Sequence, residues 1–331
     1  MLSFLKLIRI PNLLIMAFIA YMVRYCILIP IIELRKSDLD FSLLDVQMTN
    51  LDFFLLVLSV VMIGAAGYII NDYFDVRIDE VNRPSTNPIG KTIKRRVAMG
   101  AHMTINIIGA SIGLWLSYKY HIFRLGSFIF ITAPALLWFY STNLKRQFLV
   151  GNLVIALLSA IVPLLVVLFE VPNIYNAFPD LVKQGFLQLN DVMHFTLIVA
   201  VFAFFVTLIR EIIKDAEDYE GDLEYGCKTM PVVIGISRTK IILAVLGIAL
   251  MSGLGYFEYL QAVAKEWQSF FYFLVLLQLP IFYLIFRVIK AKGKKDWRFS
   301  SLLVKIIMVA GISYLFVFAH GIQLLIDSNG V

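Results

Sequence analysis

Charge is scarce in this chain. Of 331 residues only 16% are Asp, Glu, Lys or Arg, against about 25% in a soluble domain. Cysteine is nearly absent: Cys26 sits in an apolar run and Cys227 in a polar stretch, which excludes a disulfide framework and a cysteine-based metal knuckle. The four histidines, His102, His121, His194 and His320, show no ligand spacing and read as structural or interfacial. No Gly-rich phosphate loop of the Walker type occurs, so nucleotide hydrolysis lacks its usual signature. Apolar residues fill the chain instead: 60% are hydrophobic, 27 are Phe and 15 are Tyr, and the mean hydropathy is +0.84. Disorder and a nucleic-acid module are excluded. The net charge of +6 is that of loops flanking membrane spans. The chain reads as a polytopic membrane protein.

A helical span needs about 20 mostly apolar residues. Runs of that kind occupy 11–32, 51–71, 97–117, 124–141, 149–169, 193–213, 237–257, 268–289 and 301–326. The first is followed by Leu28-Ile29-Pro30-Ile31 rather than a small-residue cleavage site, so it reads as a retained span. Most of the 29 Lys and Arg residues fall at the N-terminus and after spans two, four, six and eight. That alternation predicts a cytoplasmic N-terminus and a C-terminus on the far side.

Two acidic blocks stand just past spans two and six, on the predicted cytoplasmic side. Asp72, Asp75 and Asp79 are spaced i, i+3, i+7, and Asp215, Asp218 and Asp222 repeat that spacing. On a helix it stacks three carboxylates on one face. Side by side they repel, so such a face wants a cation, and an oxygen-rich set suits a hard ion such as Mg²⁺. Gly221 predicts that the second helix stops there, with Asp222 reaching in from a loop. Pro11-Asn12-Leu13-Leu14-Ile15 opens span one and Gly151-Asn152-Leu153-Val154-Ile155 opens span five. Spans one to four and five to eight therefore read as two four-helix pseudo-repeats, about 9–145 and 149–289, with the last helix at about 301–326. An even number of spans per repeat turns both blocks to one side, where they can meet across a central cavity, as parallel repeats do. Arg77, Arg83, Lys91, Lys94, Arg95 and Arg96 surround the first block, Arg210, Lys214 and Lys228 the second, and Lys145 and Arg146 share their side. Metal-binding acids mixed with cations suit a polyanion, and diphosphate bridged by Mg²⁺ is the natural candidate.

These residues resemble a known family. An Asn-Asp-x-x-Asp-x-x-x-Asp block from Asn71 and an Asp-x-x-Asp-x-x-x-Asp block from Asp215, in a nine-span chain, are similar to those of the UbiA superfamily of intramembrane prenyltransferases. The surroundings agree: Arg9-Ile10-Pro11-Asn12, Asn82-Arg83-Pro84, Tyr140-Ser141 with Leu144-Lys145-Arg146 and Gly151-Asn152, then Gly226-Cys227-Lys228-Thr229 leading to Pro231 and Gly235. The resemblance covers essentially the whole chain. It implies a single transmembrane domain over 1–331, an all-α ring of nine helices around a central cavity, open sideways to lipid and capped by the two acidic loops. It implies that Asn71, Asp75, Asp79, Asp218 and Asp222 hold Mg²⁺ and through it an isoprenyl diphosphate, with Asp72 and Asp215 at flanking positions. Arg83, Lys145, Lys214 and Lys228 match or adjoin positions expected to grip diphosphate. Tyr140 and other aromatics would shield the allylic carbocation by cation–π contact, and a lipophilic acceptor would attack C1.

The acceptor is the open point. Where many members place a second Arg after Asn82-Arg83-Pro84, this chain has Ser85-Thr86-Asn87, and Lys91 or Lys94 would have to substitute. The stretches at 210–215 and 218–222 lean toward the geranylgeranylglyceryl phosphate branch, with an aromatic quinone precursor (1,4-dihydroxy-2-naphthoate or 4-hydroxybenzoate) as the alternative. Glu211, Glu217 and Glu220 are candidate bases for a hydroxyl acceptor. From another class, a cation-coupled transporter also has parallel repeats and internal acids, although its acids usually lie near the membrane midplane. The cations between spans eight and nine, Arg287, Lys290, Lys292, Lys294, Lys295 and Arg298, read as topology and lipid-contact residues. Arg24, inside span one, reads equally as a snorkelling or a functional residue. Cys227 reads as a small loop residue. The implied setting is a bacterial or archaeal cell membrane, with membrane lipids around the protein and neither nucleic acid nor an obligate protein partner.

Overall fold

The computed structural model describes residues 2–39, 41–84 and 87–328. Ser85 and Thr86 lie outside it. Among the described residues nine helices are long and apolar enough to cross a membrane: Ile10–Leu39, Asn50–Asn82, Arg95–Lys119, Phe123–Thr142, Val150–Ala177, Asn190–Glu217, Ile236–Val263, Trp267–Lys290 and Lys294–Ser328. Eight contain and extend a predicted run, and the fifth begins one residue after its run does and extends it at the other end. Each span packs on the next in chain order, and the ninth returns to pack on the first and the sixth.

The extensions matter because the chemistry-bearing residues lie in them. The second span is 33 residues long, roughly 50 Å at 1.5 Å per residue, well beyond a hydrocarbon core of about 30 Å. The first acidic block therefore rides on helix that overhangs the apolar run. At its other end Thr49 caps the span: its hydroxyl accepts from the Asp52 N–H and donates to the Asp52 carboxylate (2.8 Å), a capping box closed by aspartate. Lys119 and the Tyr120 hydroxyl also donate to Asp52, at 2.7 and 2.6 Å, which ties the start of the second span to the end of the third.

Two spans contain a π-helical turn, Arg24–Leu28 in the first and Leu274–Gln278 in the eighth. Pro30 and Pro280 follow them. A proline lacks the N–H for the i→i−4 bond and crowds that carbonyl, and widening the turn before it accommodates both effects.

Arg24 does not snorkel. It is 1% exposed, its Nη2 donates to the Met48 carbonyl at 2.6 Å, its Nη1 pairs with Glu170 at 3.4 Å, and its guanidinium lies 4.5 Å from the centre of the Phe53 ring. Glu170, equally buried on the fifth span, also accepts the backbone N–H groups of Gln47 and Met48. The pair thus joins the first span, the loop before the second and the fifth. Removing one member of a buried pair strands the other. Arg24→Met is expected to destabilise the protein by about 3 kcal/mol, read as a lower thermal midpoint in detergent; an unchanged midpoint would show that the pair contributes nothing.

Candidate active site

The first acidic block stays helical throughout, on the end of the second span. Asn71 donates to Asp75 at 3.0 Å, and Lys145 bonds to both, reaching Asn71 at 3.1 Å and forming an ion pair with Asp75. Arg9 donates to Asp72 at 2.6 Å. Asn87 donates to Asp79 and to the Asp72 carbonyl, each at 2.8 Å, and is itself buried. Asn87 thus pins two acids of the block without charge, while Lys91 and Lys94, the expected substitutes for a second arginine, are exposed.

The second block departs from the predicted geometry. The sixth span ends at Glu217, the chain bends at Asp218, and a short helix, Tyr219–Glu224, carries both Gly221 and Asp222. Asp215, Asp218 and Asp222 therefore do not share one helix face. The break comes before Gly221, and the glycine serves a close approach: a Cβ there would stand 2.5 Å from the Asn82 amide nitrogen, and the Gly221 N–H donates to the Asn82 side chain at 3.0 Å. Asn152 donates to Asp215 at 2.7 Å, Arg83 to both Asp218 oxygens at 2.7 and 3.0 Å, and the Thr229 hydroxyl to Asp222 at 3.0 Å.

Arg83 and Asn82, which follow the first block, thus bind residues of the second, and the two blocks meet at one end of the bundle. Their fields overlap. Burial, with Asp218 and Asp75 nearby, pushes the Asp222 carboxyl up to about 7 against the pull of Thr229 and Lys145. Burial alone would weaken the Arg83 charge, but Asp218 and Glu217 more than offset it and hold the guanidinium above its usual range. Arg9 is held up likewise, chiefly by Asp72 and Tyr68. Arg9 also takes a left-handed backbone (φ 53°) at the start of the first span, a conformation unusual for a residue with a side chain. Burial and Asp222 raise the Cys227 thiol to about 11, which disfavours the thiolate form.

Lys145 is delivered by a turn at Leu144–Arg146 between the fourth and fifth spans. Gly151 makes that possible: a Cβ there would sit 2.7 Å from the Lys145 Cα, a backbone atom that cannot yield. Below the blocks lies a cavity of about 1560 Å³, counting the open space at its mouth. Arg9, Asn71 and Tyr140 line its polar part, and Ile63, Leu165 and Phe202 are among its apolar lining.

Of the residues singled out from sequence, Asn71, Asp75 and Lys145 are in contact, Arg83 is on Asp218, and Tyr140 faces the cavity with Asn71. Lys214 lies on the cavity wall and bonds to Glu211 rather than to an acid of the blocks. The Lys228 side chain is exposed, and its N–H donates to the Arg146 carbonyl at 2.7 Å. Among the described residues no three His, Cys, Asp or Glu side chains form a ready metal group: Asp75, Asp79, Asp218 and Asp222 each engage a cation, amide or hydroxyl. Two cations assigned to lipid contact belong to the site's surroundings, since Lys294 bonds to the Asn82 carbonyl and Arg298 lies 3.6 Å from Glu217. Asn87 and Asn152 were not recognised as partners of the acids; the echo between the openings of spans one and five was the available signal for Asn152.

Residues 43–309 match the UbiA prenyltransferase family. A digeranylgeranylglyceryl phosphate synthase of Thermococcus gammatolerans is 31% identical over 252 residues, 76% of this chain and 80% of the relative. The enzyme of that name from Pyrococcus abyssi is 36% identical over 195 residues, 58% of this chain and 61% of the relative. In fold, the chain is similar to a solved digeranylgeranylglyceryl phosphate synthase (TM-score 0.54, 21% identity, 96% of this chain and 97% of that one). It is also similar to a UbiA homologue from Archaeoglobus fulgidus bound to GPP and Mg²⁺ (TM-score 0.52, 15% identity, 95% and 99%). With nine apolar helices and a match over most of its length, the chain is an integral membrane enzyme that belongs to the UbiA prenyltransferase family.

Proposed function

We propose that the protein transfers the isoprenyl group of an isoprenyl diphosphate to the hydroxyl of a glycerol-phosphate lipid such as geranylgeranylglyceryl phosphate, with Mg²⁺. The observation that carries this reading is the meeting of both acidic blocks, with their cationic partners, beside a largely apolar cavity that Asn71, Arg9 and Lys214 line. The similarity to enzymes named digeranylgeranylglyceryl phosphate synthase supports the acceptor class.

The donor set fits a hard divalent ion. Its atoms are carboxylate and amide oxygens, and Asp222, pushed up to about 7 by burial and then by Asp218 and Asp75, is a carboxylate whose charge a cation would stabilise. Asn71, Asp75, Asp79, Asp218 and Asp222 would hold it, with Asp72 and Asp215 orienting the block through Arg9 and Asn152. When bound, Mg²⁺ supplies neutralisation of the departing diphosphate's charge.

The chain's own residues do the rest. Lys145 and Arg83, now on Asp75 and Asp218, stand where they can turn to phosphate oxygens and stabilise charge as the C1–O bond of the donor breaks. The apolar cavity takes the prenyl chain and keeps water from the allylic cation, and the Tyr140 ring offers it a π face. The acceptor hydroxyl oxygen then bonds to C1 and gives up its proton. Of the three candidate bases only Glu211 lines the cavity; Glu217 is buried with Arg83 and Arg298, and Glu220 is exposed. The whole chain acts as one domain, with pseudo-repeats at about 9–145 and 149–289 and the last helix at about 301–326. The basic loops put the N-terminus and the active-site loops on the cytoplasmic side of the cell membrane.

Asp75→Ala and Asp218→Ala should each lower turnover by about a hundredfold or more while the protein stays monodisperse in detergent. Near-normal turnover of both at limiting Mg²⁺ would overturn the two-block mechanism. For the acceptor, geranylgeranyl diphosphate offered with geranylgeranylglyceryl phosphate, 1,4-dihydroxy-2-naphthoate and 4-hydroxybenzoate in competition should place most of the label on the glycerol lipid. Label mainly on an aromatic ring would assign the quinone-precursor reaction instead.

A further inference from the structure

The cavity carries a second charged feature that the diphosphate chemistry leaves unused. The sixth span turns Thr207, Arg210, Glu211 and Lys214 to it, and the ninth turns Lys305, Met308 and Ile312. Both sets have the i, i+3 or i+4, i+7 spacing of one helix face. Three cations and a single carboxylate therefore share a wall whose other residues are largely apolar. Glu211 accepts from Arg210 at 2.6 Å and from Lys214 at 3.2 and 3.5 Å, which offsets one positive charge. Lys305 has no hydrogen-bond or ion-pair partner among the described residues, and lies within electrostatic reach of the cations Arg210, Lys214 and Arg9 and of the already paired Glu211. The buried Nε of Arg210 is also without a hydrogen-bond partner.

An uncompensated pair of charges facing an apolar cavity is costly, and ionisable residues so placed in a membrane protein mark a ligand path. The ligand must bring about two negative charges, and it must meet the wall without the acids that serve the metal. A phosphate monoester meets both requirements: it is close to dianionic at pH 7, and arginine and lysine bind it through charge-assisted hydrogen bonds. A single aromatic carboxylate would leave one cation unmatched.

We propose that Arg210, Lys214 and Lys305 form the binding site for the phosphate of the acceptor lipid, with Lys305 of the ninth span as its specificity-determining residue. The inference rests on the glycerol-phosphate reading above. The site would hold the acceptor head beside Glu211, and the ninth span, which lies outside both pseudo-repeats, would read the acceptor. The same phosphate chemistry is present in the donor diphosphate, so the test separates the two sources.

Binding is measured by calorimetry in detergent with EDTA present, using geranylgeranylglyceryl phosphate and its dephosphorylated alcohol, on the wild type, Lys305→Met and Lys305→Arg. KM for geranylgeranyl diphosphate is measured in parallel with Mg²⁺. Lys305→Met should weaken binding of the phosphorylated lipid at least tenfold, leave binding of the alcohol and the donor KM within twofold, and be largely rescued by Lys305→Arg. Equal loss for both lipids would make Lys305 a packing residue and overturn the proposal. A raised donor KM with acceptor binding unchanged would assign the cluster to the donor diphosphate and also overturn it. If the wild type itself does not prefer the phosphorylated lipid, the glycerol-phosphate reading has failed, and this inference with it.

Discussion

Repulsion among six buried or half-buried carboxylates is the constraint around which this molecule is organised. In an apolar shell an unpaired carboxylate is expensive, and bringing two blocks together multiplies the cost. Each acid accordingly has a partner: distant in sequence for Arg9 on Asp72, Lys145 on Asp75, Asn152 on Asp215 and Arg83 on Asp218, and from the adjoining loop for Asn87 on Asp79 and Thr229 on Asp222. One of these contacts, Arg83 on Asp218, joins the two halves of the chain. The charge pairing is therefore also what closes one end of the bundle, and the Asn82–Gly221 bond works beside it.

The placement of this network follows from helix length. The second and sixth spans continue past their apolar runs, so Asp72, Asp75, Asp79 and Asp215 stand where the helix overhangs, while Asp218 and Asp222 follow the sixth span's end. The opposite end is sealed by different means. Asp52 collects Thr49, Lys119 and Tyr120, and Arg24 with Glu170 organises the loop before the second span. None of these residues lines the cavity.

The spans were legible because a run of about 20 apolar residues is a local signal with a single physical cause, and each predicted run matches an observed helix to within one residue at the run's ends or lies inside it. The matched spacing of the acids was legible for the same reason, since the blocks do meet. The break at Asp218 was not. It depends on the chain turning so that Gly221 can approach Asn82, 139 residues away, and periodicity carries no trace of such a contact. Arg24 is a similar case: its partner Glu170 lies 146 residues distant in another apolar run, so position within the span suggested an exposed end. Asn87 was undervalued because a missing charge was weighed, while an amide donor buried between two acids does the positioning. Lys294 and Arg298 open the ninth helix in a basic stretch whose composition alone suits lipid contact, and only the fold brings them to Asn82 and Glu217.

The pairing also bears on how a charged ligand enters a low-dielectric site. Had the acids and cations been held apart, each would carry its own desolvation cost, and the empty site would be unstable. Paired, they cost less, and the pairing places every charge within reach of where it is wanted. A metal-bound diphosphate brings both signs at once. On the proposed reading, Asp75 and Asp218 would hold the metal while Lys145 and Arg83 turned to phosphate oxygens, so that no charge would be left unmatched. The groups that do this are fixed on helix ends and short turns, as Gly151 shows for Lys145, so little reorganisation is needed when charge moves to the leaving group. That preorganisation is the largest electrostatic advantage an enzyme site can hold over water.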